Sequence, residues 1–445
     1  MAEIKSLFDR DEFKPFKAQW DRRQTELARR YDYYTGDVYN RHKYRFGWWL
    51  GQRLYRGIRP LFLPFARAVD VDAGIIPGGW AFKQEAPDAW RTARKQLFAW
   101  SEWATQGVLY VHYGAIFGVS GLKVADLREE KKVVIAPVDP RKFMLVRGSG
   151  YSQAPMMAIT IEQREGADGK PYEYGEVITP DSITTFRNGQ PEGFENRPES
   201  YPNALGAVPY IEVRHIETGE DLGECTFQKP MLILDELNEL GSYLADIIKK
   251  HAEPQTAISG AAKSDLKKGD NVWFLPEGAK VETLLADIDI PGVQSFLKQL
   301  EDNVRESLPE SAFDELKSKT EIATATLELQ LQELVLKVKR CRPNYDAGIV
   351  KAMRLAGRAA ADMGLSDVAP LDDELLELDD DRPVLRADLD TRERADYLLK
   401  SGAPHEKVWE ALGVEQDEIA EWRRILDERR ANFNDMLDSD GETEL

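Results

Sequence analysis

The residues able to perform chemistry are few and widely spaced. Asp88, together with Glu129 and Lys131 two positions apart, loosely fits the clustered carboxylates and lysine of a metal-dependent nuclease. Such matches arise by chance in a chain with 78 acidic residues. The five histidines are His42, His112, His215, His251 and His405. Their wide separation favours structural roles over metal binding, so the sequence gives only weak support to catalysis.

The motifs of common enzyme classes are missing from the sequence. It contains no Walker A loop, no dinucleotide-binding glycine pattern, no His-Glu-x-x-His motif and no nucleophile elbow. The nearest phosphate-loop string, residues 166–171, is too short and lacks the following Ser or Thr. Two cysteines, Cys225 and Cys341, exclude a disulfide framework and favour a reducing compartment. The missing motifs make an enzyme less favoured without excluding one, and we expect no cofactor and no metal.

The composition predicts a soluble and largely globular chain. Its 445 residues include 59 basic and 78 acidic side chains, a net charge of −19, and 42% hydrophobic residues. This balance excludes a simple basic coat for nucleic acid, because duplex binding depends on cationic side chains that release counterions. We see no signal peptide and no run of the ~18 apolar residues that span a membrane, so we expect no membrane association.

The N-terminal region is rich in aromatic residues. Apolar spacing predicts a first helix over residues 12–34. Seven of the ten tryptophans precede residue 104, and they are Trp20, Trp48, Trp49, Trp80, Trp90, Trp100 and Trp103. A packed core or subunit interface is the favoured interpretation, and a platform for stacking bases is the weaker one.

The middle of the chain is predicted to be β structure. A first strand is expected at Val108–Tyr113, and the later strands 155–161 and 172–178 are expected to pair. Asn188–Gly189 predicts a hairpin turn, because both residue types tolerate positive φ. Residues 188–207 are rich in Gly, Pro, Asn and Ser, and predict a long loop.

From residue 230 the chain is predicted to be mainly helical. A helix over 230–251 carries one narrow apolar seam, which is typical of packing against other helices. The seam consists of Ile233, Leu237, Leu240, Leu244 and Ile247. A compact interruption, 252–290, is expected to contain a hairpin of 272–275 with 281–284. A second helix is predicted over 291–306.

The C-terminal part begins with a short polar loop, predicted over residues 307–320. A capping-box pattern then starts a long helix at Glu321, which Pro343 is expected to kink or end. Residues 371–381 hold seven acids and predict a solvated linker, with a cation site as the weaker alternative. Three short helices are expected after residue 390.

This order of elements resembles the portal proteins of tailed bacteriophages. The similar strings are Tyr33–Gly36, Asp139–Phe143, Glu176–Gly189, Asn203–Val213, Phe274–Val281, Val304–Pro309 and Gly413–Ile425. Together they cover most of residues 30–430. One departure is Ser318–Lys319 at the start of the long helix, where many relatives have Ser-Gly.

The resemblance implies an α+β, mainly helical fold with a wing, stem, clip and crown, assembled as a ring around a central channel. The implied parts are the wing (1–228 with the long helix 321–363), the stem helices (229–251 and 291–306), the clip (252–290, with Trp273 and Phe274), the tunnel loop (307–320), and the crown with its acidic tail (364–445). The implied homo-oligomer usually has twelve subunits.

The resemblance also implies a structural role at one capsid vertex, where double-stranded DNA is packaged and later ejected. The implied partners are the major capsid protein, the terminase large subunit and then the head–tail adaptor, in a virion assembled in the bacterial cytoplasm. An acidic wall fits a conduit, because few attractive phosphate contacts leave the duplex mobile. Candidate DNA-facing cations are Lys249, Lys250, Lys317 and Lys319, and solvated helix ends are an equal alternative.

Two other functions stay open at this point. A monomeric metal-dependent nuclease, or another DNA-processing enzyme, would depend on Asp88 or Glu129. A scaffold protein would instead bind a partner through the tryptophan-rich N-terminal region.

Overall fold

The chain folds into two compact units. The computed structural model describes residues 6–39, 62–78, 80–83, 85–148, 154–166, 169–194, 197–252, 255–259, 267–269, 272–274, 280–284, 290–312, 331–379, 395–412, 414, 418–419 and 421–427. Unit 1 comprises residues 1–34, 65–226 and 309–445, and unit 2 comprises 35–64 and 227–308. Helices and strands occupy separate stretches of sequence, which confirms the predicted α+β class.

Helices of unit 1 cover most of its N-terminal third. They are α1 (Lys17–Thr35), α2 (Phe65–Ile75), α3 (Asp88–Trp100) and α4 (Trp103–Phe117). The first helix begins at Lys17 rather than at residue 12, because a 3-10 turn containing Pro15 precedes it. The strand expected at Val108–Tyr113 is wrong, since these residues lie within α4. A short, fully apolar run does not distinguish a buried strand from a buried helix.

A three-stranded antiparallel sheet follows α4. It contains β1 (Val119–Leu127), β2 (Lys132–Val138) and, later in the chain, β9 (Tyr210–Arg214), in the order β2-β1-β9. Gly121 lies opposite Val138 on one side and Glu212 on the other. The apolar side chains of β1 and β2 alternate with more exposed ones, so one face of this sheet is buried.

A second antiparallel sheet has the strand order β3-β4-β5-β6-β7, with β8 also paired to β6. Its strands are β3 (Phe143–Arg147), β4 (Pro155–Glu165), β5 (Pro171–Ile178), β6 (Ser182–Arg187), β7 (Gln190–Pro191) and β8 (Ser200–Pro202). The predicted pairing of β4 with β5 is confirmed. Asn188 (φ 47°) and Gly189 (φ 75°) form the predicted turn between β6 and β7. The loop expected over 188–207 is interrupted by β7 and β8.

The core of unit 1 is built around helix α7 (Gln332–Asp362), which packs against α4, β1 and β9. This helix continues through Pro343, so the predicted end at this proline is wrong and the alternative, a kink, stays a prediction. Of the tryptophans that the structure describes, Trp20, Trp80 and Trp103 are at most 8% exposed. The packed-core interpretation is therefore confirmed for these three residues.

The acidic stretch after α7 is not a solvated linker over its described part, residues 371–379. Leu371 and Leu376 are 0% and 3% exposed. Leu378 pairs with Phe82 in an isolated β-bridge. Leu371 and Leu376 are therefore part of the core, whereas Leu375 between them is 77% exposed.

Unit 2 contains two helices and two small sheets. The helices are α5 (Met231–Ala252) and α6 (Ile290–Glu306), and they pack on each other. Strand β10 (Gln255–Ser259) pairs with β13 (Lys280–Leu284), and β11 (Lys267–Gly269) pairs with β12 (Val272–Phe274). The hairpin expected between 272–275 and 281–284 is therefore wrong. An Asp-Asn pair separates β11 from β12 in the sequence, and this pair is the better signal for a tight turn.

The side chain of Tyr345 on α7 reaches the backbone of α4 because Gly114 has no side chain. A Cβ atom at this position would overlap the hydroxyl oxygen of Tyr345. Tyr345 is fully buried, and its hydroxyl oxygen lies 2.8 Å from Nδ1 of His215. Gly114 therefore makes room for a tyrosine that connects the two helices to the segment after β9.

Replacing Gly114 with Ala is expected to lower the free energy of unfolding by about 1–3 kcal/mol, because the new methyl group forces Tyr345 to move. Gly74→Ala in α2 is the matched control, since its Cβ meets nothing within 4 Å. The control should leave stability unchanged or raise it by up to about 1 kcal/mol. Urea unfolding followed by circular dichroism measures both. Equal stability of the two variants would contradict the close approach.

Candidate functional site

The predicted seam of α5 is only partly buried within one chain. Leu237 and Leu244 are buried, whereas Ile233 and Leu240 are half-buried. The side chain of Ile247 lies outside the described residues. The face that α5 buries most is offset from the predicted line, and it consists of Met231, Leu234, Asp235, Leu237, Asn238, Gly241, Ser242 and Leu244.

A buried polar residue on this face binds the backbone of the segment that contains Phe62. Asn238 is fully buried. Its side-chain oxygen accepts a hydrogen bond from the Phe62 backbone N–H (3.1 Å), and its amide donates to the Phe62 carbonyl (3.3 Å). The guanidinium of Arg305 on α6 lies 5.2 Å from the centre of the Phe62 ring. Phe62 therefore connects both helices, which the sequence pattern did not reveal.

Three large apolar side chains of the helix pair face solvent in the single chain. Leu232 and Ile248 on α5 are 71% and 47% exposed, and Phe296 on α6 is 47% exposed. These side chains are available to pack against another chain, although no contact among the three is described.

The other predicted channel and clip residues fall only in part within the described residues. Lys249 and Lys250 lie in the last turn of α5, and Trp273 and Phe274 lie in β12, but the side chains of all four are outside the described residues. Lys317 and Lys319 also fall outside them. The described start of the predicted tunnel loop differs from a solvated loop, because Pro309–Ser311 is a 3-10 turn in which Glu310 is 2% exposed.

The residues proposed for a nuclease do not form a metal site. Asp88 is the first residue of α3 and pairs with Arg91 at 2.8 Å. Glu129 is exposed in the turn between β1 and β2. Within the described part of the chain, no group of three or more His, Cys, Asp or Glu side chains is arranged to hold a metal ion. None of the described helices combines the length and apolar character required to cross a membrane.

A buried group of charged residues is the most unusual site in unit 1. Asp72 on α2 is fully buried, and one of its carboxylate oxygens accepts hydrogen bonds from the Thr226 hydroxyl and from the Lys337 ammonium (2.8 Å). Lys337, on α7, also pairs with Glu310. We call these four residues, with His215, Cys341 and Tyr345, the Asp72 cluster. It joins α2, α7, the 3-10 turn and the segment after β9.

The cluster brings a Cys, a His and an Asp together, but not as a catalytic triad. Nδ1 of His215 contacts the Tyr345 hydroxyl at 2.8 Å. Nε2 lies 3.5 Å from Asp72 and 3.8 Å from the Cys341 sulfur. The acid and the nucleophile thus share one ring nitrogen, whereas a triad needs them on opposite nitrogens. All three side chains are fully buried, so no substrate reaches them.

The cluster shifts the ionisation of its members. Burial opposes charge on Asp72, but Lys337 and His215 outweigh it and lower the Asp72 pKa. Burial and the neighbouring Asp72 carboxylate raise the pKa of Glu310 to about 7, although Lys337 opposes the shift. Burial lowers the pKa of His215, yet Cys341 and Asp72 outweigh it and raise the value to about 9. The stable arrangement is therefore an ionised Asp72 between cationic Lys337 and His215.

One sequence signal could have indicated this cluster, which the sequence analysis missed. Lys337 lies on the apolar face of α7 with Leu334, Val338 and Cys341, and a buried lysine requires an anionic partner. Asp72 stands among apolar residues of α2 in the same way. The pairing itself joins residues 265 positions apart, which local patterns do not specify.

Comparison with known proteins identifies the class of this chain. The family described as "Phage portal protein, SPP1 Gp6-like" matches residues 110–432, which is more than half of the sequence. The chain therefore belongs to this family of phage portal proteins, and the resemblance inferred from the sequence is confirmed. No curated protein matches the sequence significantly.

The chain is also similar to chains in solved structures of gene transfer agent (GTA) particles. One is the neck of a native GTA particle computed with C12 symmetry, at 13% identity and a TM-score of 0.41. Another is the neck of an empty GTA particle computed with C6 symmetry, at 14% identity and a TM-score of 0.37. Each match covers 79% of this chain and 90% of the other.

Stability should fall as pH rises through the pKa of His215. The folded chain holds this proton to about pH 9, but the unfolded chain holds it only to about 6.5. The stabilisation is therefore complete below pH 6.5 and lost above pH 9. Between pH 7.5 and 9.5 we expect a loss on the order of 2 kcal/mol in urea unfolding. His215→Gln should remove this loss and His405→Gln, at an exposed position, should retain it. An unchanged slope in His215→Gln would contradict the assignment.

Lys337→Met should destabilise unit 1 strongly, because it leaves the buried carboxylates of Asp72 and Glu310 without their shared cation. The expected loss is about 3–5 kcal/mol in the free energy of unfolding. Lys83→Met is the matched control, since Lys83 pairs with Glu377 at the protein surface, and it should show no measurable change. Similar denaturation midpoints for both variants would show that the buried pair contributes little.

Proposed function

We propose that this chain is the subunit of a portal ring at one capsid vertex, through which double-stranded DNA is packaged and later ejected. The observation that carries the proposal is the family match over residues 110–432. That range includes the sheets of unit 1, the helix pair of unit 2 and α7. We further propose twelve subunits per ring, as in the family to which the sequence is similar.

The proposed parts of the ring follow the mapping from the sequence. Unit 2 supplies the stem, as α5 and α6, and the clip, as residues 252–290. The exposed Leu232, Ile248 and Phe296 and the half-buried Leu240 then face neighbouring subunits. Unit 1 supplies the wing, including α7, and residues 364–445 form the crown. This arrangement gives the apolar surface of the helix pair a partner in the assembled ring.

The proposed role is structural rather than enzymatic. Packaging energy comes from a separate ATPase, the terminase large subunit, which docks on the ring before the head–tail adaptor replaces it. The major capsid protein surrounds the ring, and the assembled particle forms in the bacterial cytoplasm. The net charge of −19 per subunit supports passage rather than grip, because a mostly acidic wall repels phosphates. Lys249, Lys250, Lys317 and Lys319 stay proposed as local contacts to DNA.

Negative-stain electron microscopy of the purified full-length chain tests this proposal. We expect rings with a central hole wide enough for a DNA duplex, and mass photometry should give the subunit count. A protein that stays monomeric across salt, pH and concentration would overturn the portal function. Rings of another subunit number would overturn only the proposed dodecamer.

Leu240→Asp is expected to abolish ring assembly, because it places a charge in the proposed packing surface between stem helices at a cost of several kcal/mol. Leu240→Met is the control and should assemble normally, since it retains an apolar side chain of similar volume. Ring yield in micrographs and circular dichroism of the monomer are the measurements. A normal ring yield for Leu240→Asp would place Leu240 outside the subunit interface.

A further inference from the structure

The chain passes between unit 1 and unit 2 at four points. It leaves unit 1 after Tyr34 and returns at Phe65, and it leaves again after Thr226 and returns at Pro309. We call the last two points the Thr226 crossing and the Pro309 crossing. Both crossings have a buried polar side chain at the edge of unit 1, namely Thr226 and Glu310, which are 7% and 2% exposed.

The Asp72 carboxylate contacts the Thr226 crossing directly and the Pro309 crossing through Lys337. Asp72 accepts the hydrogen bond from the Thr226 hydroxyl, and it pairs with Lys337 at 2.8 Å. Lys337 in turn pairs with Glu310 at the Pro309 crossing. The Thr226 backbone N–H also donates to the carbonyl of Ala115 on α4, at 3.0 Å. One chain of contacts, Thr226 to Asp72 to Lys337 to Glu310, therefore links the two crossings within unit 1.

The other two crossings, after Tyr34 and at Phe65, both lie beside the first residue of α2, the helix that carries Asp72. Phe65 is the first residue of α2, and its ring lies 6.4 Å from the ring of Tyr33 near the end of α1. Asp72 lies seven residues further along α2, two helical turns away. A single helix thus contacts the chain on the unit 1 side of all four crossings, with an apolar contact at one end and an ionic one at the other.

We propose that the Asp72 cluster is a charge-dependent clamp that holds the Thr226 and Pro309 crossings together on their unit 1 side. The geometry of the clamp is independent of the portal function. Its consequence rests on that function, because the two clamped crossings then lead into and out of the segment proposed as stem and clip.

A buried ion pair is better suited to fixing two segments in place than to raising the overall stability of a core. Well-packed apolar side chains often stabilise a core as much as a buried ion pair does. Removing one member of such a pair is nevertheless very costly, since its partner keeps an unpaired charge. Lys337 serves two carboxylates at once, so its loss affects both crossings, whereas loss of Thr226 or Glu310 affects one.

This difference allows a test by hydrogen–deuterium exchange of the full-length chain, read by mass spectrometry. Thr226→Val should accelerate exchange only in peptides over residues 224–230, and Glu310→Gln only in those over 307–312. Asp72→Asn should accelerate both, each by about tenfold. Peptides over strands β4 and β5 serve as the internal reference and should not change. Lys83→Met, which neutralises a surface pair, is the control variant.

Two results would overturn the clamp. The first is unchanged exchange at both crossings in Thr226→Val and Glu310→Gln. The second is equal acceleration in the β4 and β5 peptides, which would indicate general destabilisation. If Asp72→Asn does not fold, the two single-crossing variants still decide. Ring formation by the same samples is scored separately in micrographs, so a failed clamp with intact rings leaves the portal function standing, and a confirmed clamp without rings overturns that function alone.

Discussion

The ammonium group of Lys337 lies between two buried carboxylates, and this contact constrains three separate stretches of unit 1. Helix α2 must bring Asp72 to it, the 3-10 turn must bring Glu310, and α7 must present the lysine inward. A displacement of any one stretch leaves a charge in the protein interior without a partner, which costs several kcal/mol. The ion pair therefore adds a requirement on where these elements lie to the one that apolar packing already imposes.

The packing of α4 on α7 extends this constraint across the core. Gly114 admits the Tyr345 ring, and the Tyr345 hydroxyl fixes the orientation of His215, whose other nitrogen faces Asp72. Strand β9 ends next to His215, so polar contacts as well as apolar ones connect this strand to α2 and α7. In unit 2, Asn238 performs a similar task on a smaller scale, since it binds the backbone of Phe62 from within the apolar face of α5.

Local sequence patterns predicted the helices and strands better than they predicted which distant residues contact each other. The pairing of β4 with β5 and the turn at Asn188–Gly189 follow from alternation and turn chemistry, which are local properties. The strand expected at Val108–Tyr113 is wrong because burial on all sides removes the periodicity that separates helix from strand. The apolar spacing of α5 identified Leu237 and Leu244 as buried, but it did not reveal Asn238. The Asp72 cluster depends on contacts between distant residues, so only the isolated charges on apolar faces could have indicated it.

The discontinuous make-up of unit 1 determines when it can fold during synthesis. Its core needs α7, which follows the whole of unit 2 in the chain. The ribosome therefore releases unit 2 complete while the sheet β2-β1-β9 and helix α4 still expose the surface that α7 will cover. Nascent chains carry this uncovered apolar surface for roughly a hundred residues of translation, several seconds at ordinary rates, and chaperones have their best opportunity to bind during that interval.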